Sequence, residues 1–294
     1  MWFDKEANEA AEFYTSIFPE SKIKKKTSLN DTPSGDVTLV SFELWKNQFM
    51  AINGGPYFQF NPSISFMVHF DPSKMDKASE KLEEIWNKLT EGGTVFMSLD
   101  SYPFSKKYGW VQDKYGLSWQ LILTNPEGDE RPEIIPSLLF VGENCGKAEE
   151  AIQLYLSVFR DAEQGHLARY PKGMEPDKEG TVMFADFRLL DQWFVAMDSV
   201  QSHEFPFNEA ISFMVDCDTQ EEIDHYWHKL SAVPDAEQCG WLKDKYGVSW
   251  QIVPIEMEDM MSNGTPEQMD RVNKAILKMK KLDLKELRKA YQGE

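Results

Sequence analysis

Cysteine is scarce in this chain of 294 residues: Cys145, Cys217 and Cys239 are the whole supply, and no CxxC occurs. An odd count without paired spacing excludes a disulfide framework and a zinc-ligand set of the finger type. Long apolar runs are missing as well. No window reaches the ~18 apolar residues a membrane-spanning helix needs, and the opening Met-Trp-Phe-Asp-Lys-Glu is unlike a secretory signal. Positive charge is in deficit, with 31 Lys and Arg against 49 Asp and Glu, a formal charge of −18. That field repels phosphate backbones and anionic lipid, so nucleic acid and membrane surfaces are excluded as partners. The run Lys22, Lys24, Lys25 and Lys26 reads as a solvated strand edge. The expectation is a soluble, cytoplasmic protein.

What the chain does have is an ordinary globular composition, 41% hydrophobic and 27% charged, and length for two domains. It also repeats itself. Ile64-Ser65-Phe66-Met67-Val68 recurs as Ile211-Ser212-Phe213-Met214-Val215, and the stretch from Gly109 to Gln120 returns nearly letter for letter from Gly240 to Gln251. Near the start of each copy, Ala10 to Phe18 matches Ala151 to Phe159. The order is colinear and each copy is domain-sized, too long for a solenoid unit. We therefore expect a first domain over 1–125, a polar linker over 126–133, a second domain over 134–255 and a helical tail over 256–294.

Periodicity orders the elements within a copy. Ala10, Phe13/Tyr14 and Ile17/Phe18 share a helical face, with Asn8 as N-cap; strands follow at Val37 to Leu44, Phe49 to Ile52 and Ile64 to Phe70. A second helix carries Met75, Ala78, Leu82, Ile85/Trp86 and Leu89 on one face, and two strands around Trp110 and Leu117 to Leu123 meet at the turn Asp113-Lys114-Tyr115-Gly116. Each copy reads β-α-β-β-β twice, an α+β fold. In the tail, Thr265-Pro266-Glu267-Gln268 and Asp283-Leu284-Lys285-Glu286 predict two capped helices.

This pattern resembles the vicinal oxygen chelate superfamily of glyoxalases, extradiol dioxygenases and bleomycin-resistance proteins. Within it, the chain is similar to the PhnB-like group, often labelled 3-demethylubiquinone-9 3-methyltransferase-like. The residues that carry the resemblance are Ala10 to Tyr14 with Phe18-Pro19, Asn53-Gly54-Gly55-Pro56, the Ile64-Ser65-Phe66 strand, Gly109-Trp110 through Trp119-Gln120, and the tail from Arg271 to Tyr291. The resemblance implies tandem domains, each a curved mixed sheet built from two modules around a cup. It also implies an intramolecular pseudo-dimer, with a further homo-dimer left open. Copy one opens with a short first strand, Met1-Trp2-Phe3, where copy two has Ile134 to Val141.

Enzymes of the superfamily hold a divalent metal with His or Gln on module-opening strands and Glu on closing strands. Imidazole and carboxylate suit metals that chelate vicinal oxygens. Here the closing-strand Glu corresponds to Gln120 and Gln251, and the strands opening at Ile64, Ile134 and Ile211 bring no histidine to the ligand position. His69 ends its strand and corresponds to Asp216 in the other copy; His225 and His228 lie on a helix whose apolar face is Tyr226 and Trp227; His166 and His203 sit in expected loops. No metal and no cofactor is expected. The sequence has no Gly-x-Gly turn after a strand to bring a backbone close to S-adenosylmethionine, no P-loop and no Gly-x-Ser-x-Gly elbow.

What remains is a polar set. Gln120 and Gln251 should point into the cups, Asn53 and Asp198 correspond at the ends of equivalent strands, and Tyr102 and Phe104 lie in a loop that copy two lacks. The expected function is binding of a small organic molecule in an apolar cup, oriented by amides, with copy one favoured because it keeps Asn53-Gly54-Gly55 and the aromatic loop. The alternatives are a metal-dependent lyase, isomerase or dioxygenase of the same superfamily, and a structural or interaction module with filled cups.

Overall fold

The computed structural model describes residues 1–32, 35–125, 127–201 and 203–294; Pro126, first residue of the expected linker, lies outside them. Copy one runs β1 (Trp2–Phe3), α1 (Ala7–Ile17), β2 (Lys22–Thr32), β3 (Gly35–Leu44), β4 (Asn47–Asn53), β5 (Ile64–Phe70), α2 (Ala78–Thr90), β6 (Thr94–Tyr102), β7 (Ser105–Gln112) and β8 (Ser118–Leu123). That is β-α-β-β-β twice. Copy two follows with β9 (Ile134–Phe140), α3 (Ala148–Val158), β10 (Glu163–Arg169), β11 (Val182–Leu189), β12 (Gln192–Asp198), β13 (Ser212–Cys217), α4 (Gln220–Leu230), β14 (Trp241–Lys243) and β15 (Ser249–Pro254).

Two compact units emerge, residues 1–206 and 207–294. They do not coincide with the two sequence copies, because the boundary falls inside the expected domain 134–255. The sheets explain why. In the first unit, β1-β4-β3-β2 form one sheet, and an eight-stranded sheet runs β10-β11-β12-β9-β5-β8-β7-β6. The second half of copy one and the first half of copy two thus share one sheet. They join where β5 and β9 pair antiparallel, with Ser65 opposite Ser137 and Met67 opposite Ile135. Read outward from that seam, each module gives its first, fourth, third and second strand in turn. The arrangement is locally two-fold.

One face of this sheet is packed by helices. Trp86 of α2 sits against Gly109, where an added Cβ would lie 2.5 Å from the indole. Tyr155 of α3 stacks on Phe187. The opposite face carries the alternate residues, among them a separate apolar cluster of Met67, Ile135 and Val195 with Ile122, Phe184, Trp193 and Met197 around it. Helix α1 buries Ala7, Ala10, Ala11 and Tyr14. The Tyr14 and Phe18 rings meet Trp119, which is itself fully buried.

The second unit holds the sheet β13-β15-β14, helix α4 and the tail helices α5 (Ile255–Asn263), α6 (Pro266–Ile276) and α7 (Leu284–Gln292). Both expected caps form: Thr265 and Gln268 make a reciprocal capping box, and Asp283 accepts from Glu286 N. Between α6 and α7 the chain passes beside the two residues that lead into β14. Met279 and Lys280 accept hydrogen bonds from the backbone of Cys239 and Gly240, each at 2.8 Å. Copy two lacks the long hairpin that flanks β7, and the tail supplies backbone partners on that side.

Candidate binding site

The helix-free face of the eight-stranded sheet has a polar centre in an apolar surround. Its geometry starts at the β7–β8 turn, where Asp113 Oδ1 accepts from Tyr115 N at 2.9 Å and Leu117 N at 3.1 Å. The turn sets the register, placing Trp110 opposite Gln120 and Tyr108 opposite Ile122. Gln120 therefore lies diagonal to Tyr108, whose hydroxyl donates to Gln120 Oε1 at 2.6 Å. The amide is held from the other side too. Its Nε2 donates to Ser65 Oγ at 2.7 Å and makes a longer contact, 3.5 Å, to Ser137 Oγ. Ser65, Ser137 and Gln120 are 1%, 1% and 4% exposed, so this network is inside the protein. Burial raises the Tyr108 phenol above its ordinary range and keeps it a neutral donor.

The surround is uncharged in effect. His69, two residues beyond Met67 on β5, sets its Nδ1 3.0 Å from the Pro132 carbonyl, and burial lowers its pKa to about 4. It is neutral at pH 7. Arg131, from the expected linker, lies 3.9 Å over the Trp193 ring and donates to Asp186 Oδ2 at 2.7 Å. Asp186 Oδ1 also accepts from His166 N at 2.6 Å. The guanidinium and carboxylate on this face cancel each other.

The residues singled out in the sequence divide into two kinds. Tyr102 and Phe104 come to the Gln120 network through Tyr108: both rings pack on the Tyr108 ring, at 5.6 and 5.0 Å. Phe104 is 62% exposed, at the rim. Asn53 stands on the other sheet of the unit, where its Oδ1 accepts from Ala7 N at 2.7 Å. It caps α1, the role expected of Asn8, whose amide instead reaches Glu12. Asp198 does the same for α3, accepting from Gly146, Ala148 and Val182 N at 2.7, 3.2 and 2.9 Å. The room left by Gly54 is filled, since a Cβ there would lie 2.2 Å from the Trp2 indole. Gln251 belongs to the second unit and repeats the serine contact, donating to Ser212 Oγ at 2.7 Å. Its copy has Cys239 where copy one has Tyr108.

Tyr108 escaped sequence reasoning, although a signal existed. The turn at Asp113 to Gly116 pairs Gln112 with Ser118, and counting back along the hairpin puts Tyr108 beside Gln120.

The superfamily that the sequence resembles holds a divalent metal on the corresponding strands, and the residues here do not fit one. The opening strands present Ser65 and Ser137, and the closing strands present Gln120 and, opposite Ser137, Val195. A neutral amide and two hydroxyls are poor ligands for the metals that imidazole and carboxylate hold. Among the described residues no three His, Cys, Asp or Glu side chains gather as a metal site.

The family model described as 3-demethylubiquinone-9 3-methyltransferase matches the chain twice, at residues 1–122 and 132–253. A PhnB protein from Bacillus cereus is 35% identical over 42% of this chain and 95% of its own, with a TM-score of 0.37. Glyoxalase I from Zea mays is 13% identical over 86% of this chain and 89% of its own, with a TM-score of 0.54, a likeness of fold. No curated protein matches the chain.

Proposed function

Because the chain belongs to the family described as 3-demethylubiquinone-9 3-methyltransferase, in two copies on a glyoxalase-like fold, we propose that it binds a small organic molecule on the helix-free face of the eight-stranded sheet, without a metal. One observation carries this reading: a buried amide, tied to Ser65, Ser137 and Tyr108, sits at the centre of an apolar face. Few precisely placed polar groups in an apolar surround are the make-up of a small-molecule site. A ligand reaching them has to displace side chains that now cover the floor. The three cysteines form no disulfide, in keeping with a cytoplasmic location. No described helix is long and apolar enough to cross a membrane.

The test is a thermal-shift and fluorescence screen of the full chain. Gln120→Leu should weaken any hit by about 1–3 kcal/mol, and Gln251→Leu should matter less. Elemental analysis should find well under one equivalent of zinc, nickel, iron or manganese. Equal losses at the two glutamines would refute the assignment to this face, and stoichiometric, chelator-resistant metal would refute metal independence.

A second reading, a structural module whose face is filled by its own side chains, draws on the burial of Met67, Ile135 and Val195, 4%, 0% and 0% exposed. Under it, the screen gives no hit and Gln120→Leu changes stability alone.

A further inference from the structure

The hydrogen-bond accounting around Gln120 leaves something over. The amide oxygen is taken by the Tyr108 hydroxyl, and the amide nitrogen, with two protons, faces Ser65 Oγ and Ser137 Oγ. Both serine oxygens are therefore acceptors in these contacts, and each serine retains its own O–H proton. Among the described residues no acceptor takes either proton. The two serines are 1% exposed and stand directly opposite across the β5–β9 seam. Cβ atoms in such a pair are about 4.5–5.5 Å apart, so one oxygen atom between them is within reach of both hydroxyls. Buried donors without acceptors cost free energy, and two standing opposite each other make a ready cradle for an acceptor.

The charge of that acceptor follows from the neighbours. Arg131 is matched by Asp186, and Arg188 by Glu163 at 3.1 Å, so neither offers an uncommitted cation for an anionic ligand. Met67, Ile135, Val195, Trp193 and Met197 offer apolar surface for the rest of the molecule.

We propose that Ser65 and Ser137 together donate two hydrogen bonds to a single carbonyl oxygen, and that the ligand of this face is a neutral carbonyl compound with an apolar body. The assignment rests on the binding reading above and adds its chemical class. Gln120 is a positioning residue here: its amide nitrogen, 2.7 Å from Ser65 Oγ and 3.5 Å from Ser137 Oγ, takes up acceptor capacity on both oxygens and leaves their protons for the ligand. Tyr108 fixes the amide so that its nitrogen faces the serines.

Three probes of one shape test this on the full chain: 2-acetylnaphthalene, 2-ethylnaphthalene, which lacks the oxygen, and 2-naphthoate, which is anionic. The ketone should bind about tenfold or more tighter than the hydrocarbon. Its bound carbonyl stretch should fall below that of the ketone with one hydrogen-bond donor. Ser65→Ala and Ser137→Ala should each remove about tenfold from ketone affinity, move the stretch back up and leave the hydrocarbon unchanged. Ser65→Cys, a weaker donor of similar shape, should fall between. Equal binding of ketone and hydrocarbon, indifferent to both serines, would overturn the carbonyl cradle while leaving binding on this face intact. Tightest binding of the naphthoate would overturn the neutral class. Binding of none of the three would overturn the binding reading and the cradle with it. The wild-type comparison and its spectrum decide the matter even if a serine variant fails to fold.

Discussion

The hydroxyl of Tyr14 donates to Asp113 Oδ2 at 2.8 Å, tying helix α1 to the β7–β8 turn across 99 residues. Trp119 Nε1 donates to the same oxygen at 2.8 Å. This carboxylate thus anchors both the core and the turn that aligns Gln120 with Tyr108.

Tyr14→Phe should destabilise the protein by about 1–3 kcal/mol, since it removes one donor from a buried carboxylate. Burial already raises the Asp113 pKa, and the hydrogen bonds from Trp119 and Tyr14 oppose it. With a raised native pKa the folded state holds its proton longer, so this group's contribution is fully present below the ordinary Asp value and declines as pH rises through the raised one. Losing the Tyr14 bond raises that pKa further. Denaturant melts should therefore show a larger deficit for the variant near neutral pH than near pH ~4. An equal deficit at both would argue against the Asp113 linkage.

Asn53→Ala should cost about 1 kcal/mol as a lost helix cap. Asp198→Ala should cost more, because three backbone donors, Gly146, Ala148 and Val182, lose their acceptor. Neither change should alter binding on the Gln120 face. An affinity loss at Asn53→Ala, with stability intact, would return that residue to the site.

His69 gives a pH dependence of opposite sign. Its pKa falls from 6.5 to about 4, chiefly through burial, so the unfolded chain takes up the proton first as pH drops. Its contribution is fully present above pH 6.5 and is lost progressively as pH falls toward about 4. His69→Gln should flatten thermal stability across that window. An unchanged profile would show that His69 titrates alike in the folded and unfolded chain, so that burial does not shift it.

Leu282 packs with Met260, Val272 and Leu287 in the tail cluster and is fully buried. Leu282→Ala should cost the second unit about 2–5 kcal/mol. It should also speed hydrogen exchange at Cys239 and Gly240, whose amides the neighbouring Met279 and Lys280 carbonyls cover. Exchange unchanged at those two amides would separate the tail's packing from its cover of β14.

Much of the fold was legible without coordinates. Two near-identical stretches marked the copies, a 3.6-residue period marked α1 and α2, and Thr265 to Gln268 marked the start of α6, because each signal involves residues close in sequence. The position of Gln120 on its strand was equally local. The roles of Asn53 and Asp198 were not, because their backbone partners lie 46 and 50 residues away. Tyr108 needed the hairpin register, which Asp113 sets within the turn by accepting from Tyr115 N and Leu117 N, so it could be counted from the sequence once that turn was placed.

The repeat, its element order and the lack of His or Glu at the ligand strand positions follow from periodicity and residue chemistry, which are properties of the chain alone. Which module pairs with which is a matter of contacts between distant segments. Two copies of one pattern offer each first strand two equivalent partners, and nothing local distinguishes them. The choice of β9 for β5 places Ser137 of one copy against Ser65 of the other. That pairing joins two serines and a glutamine, distant in sequence, in one hydrogen-bonded network.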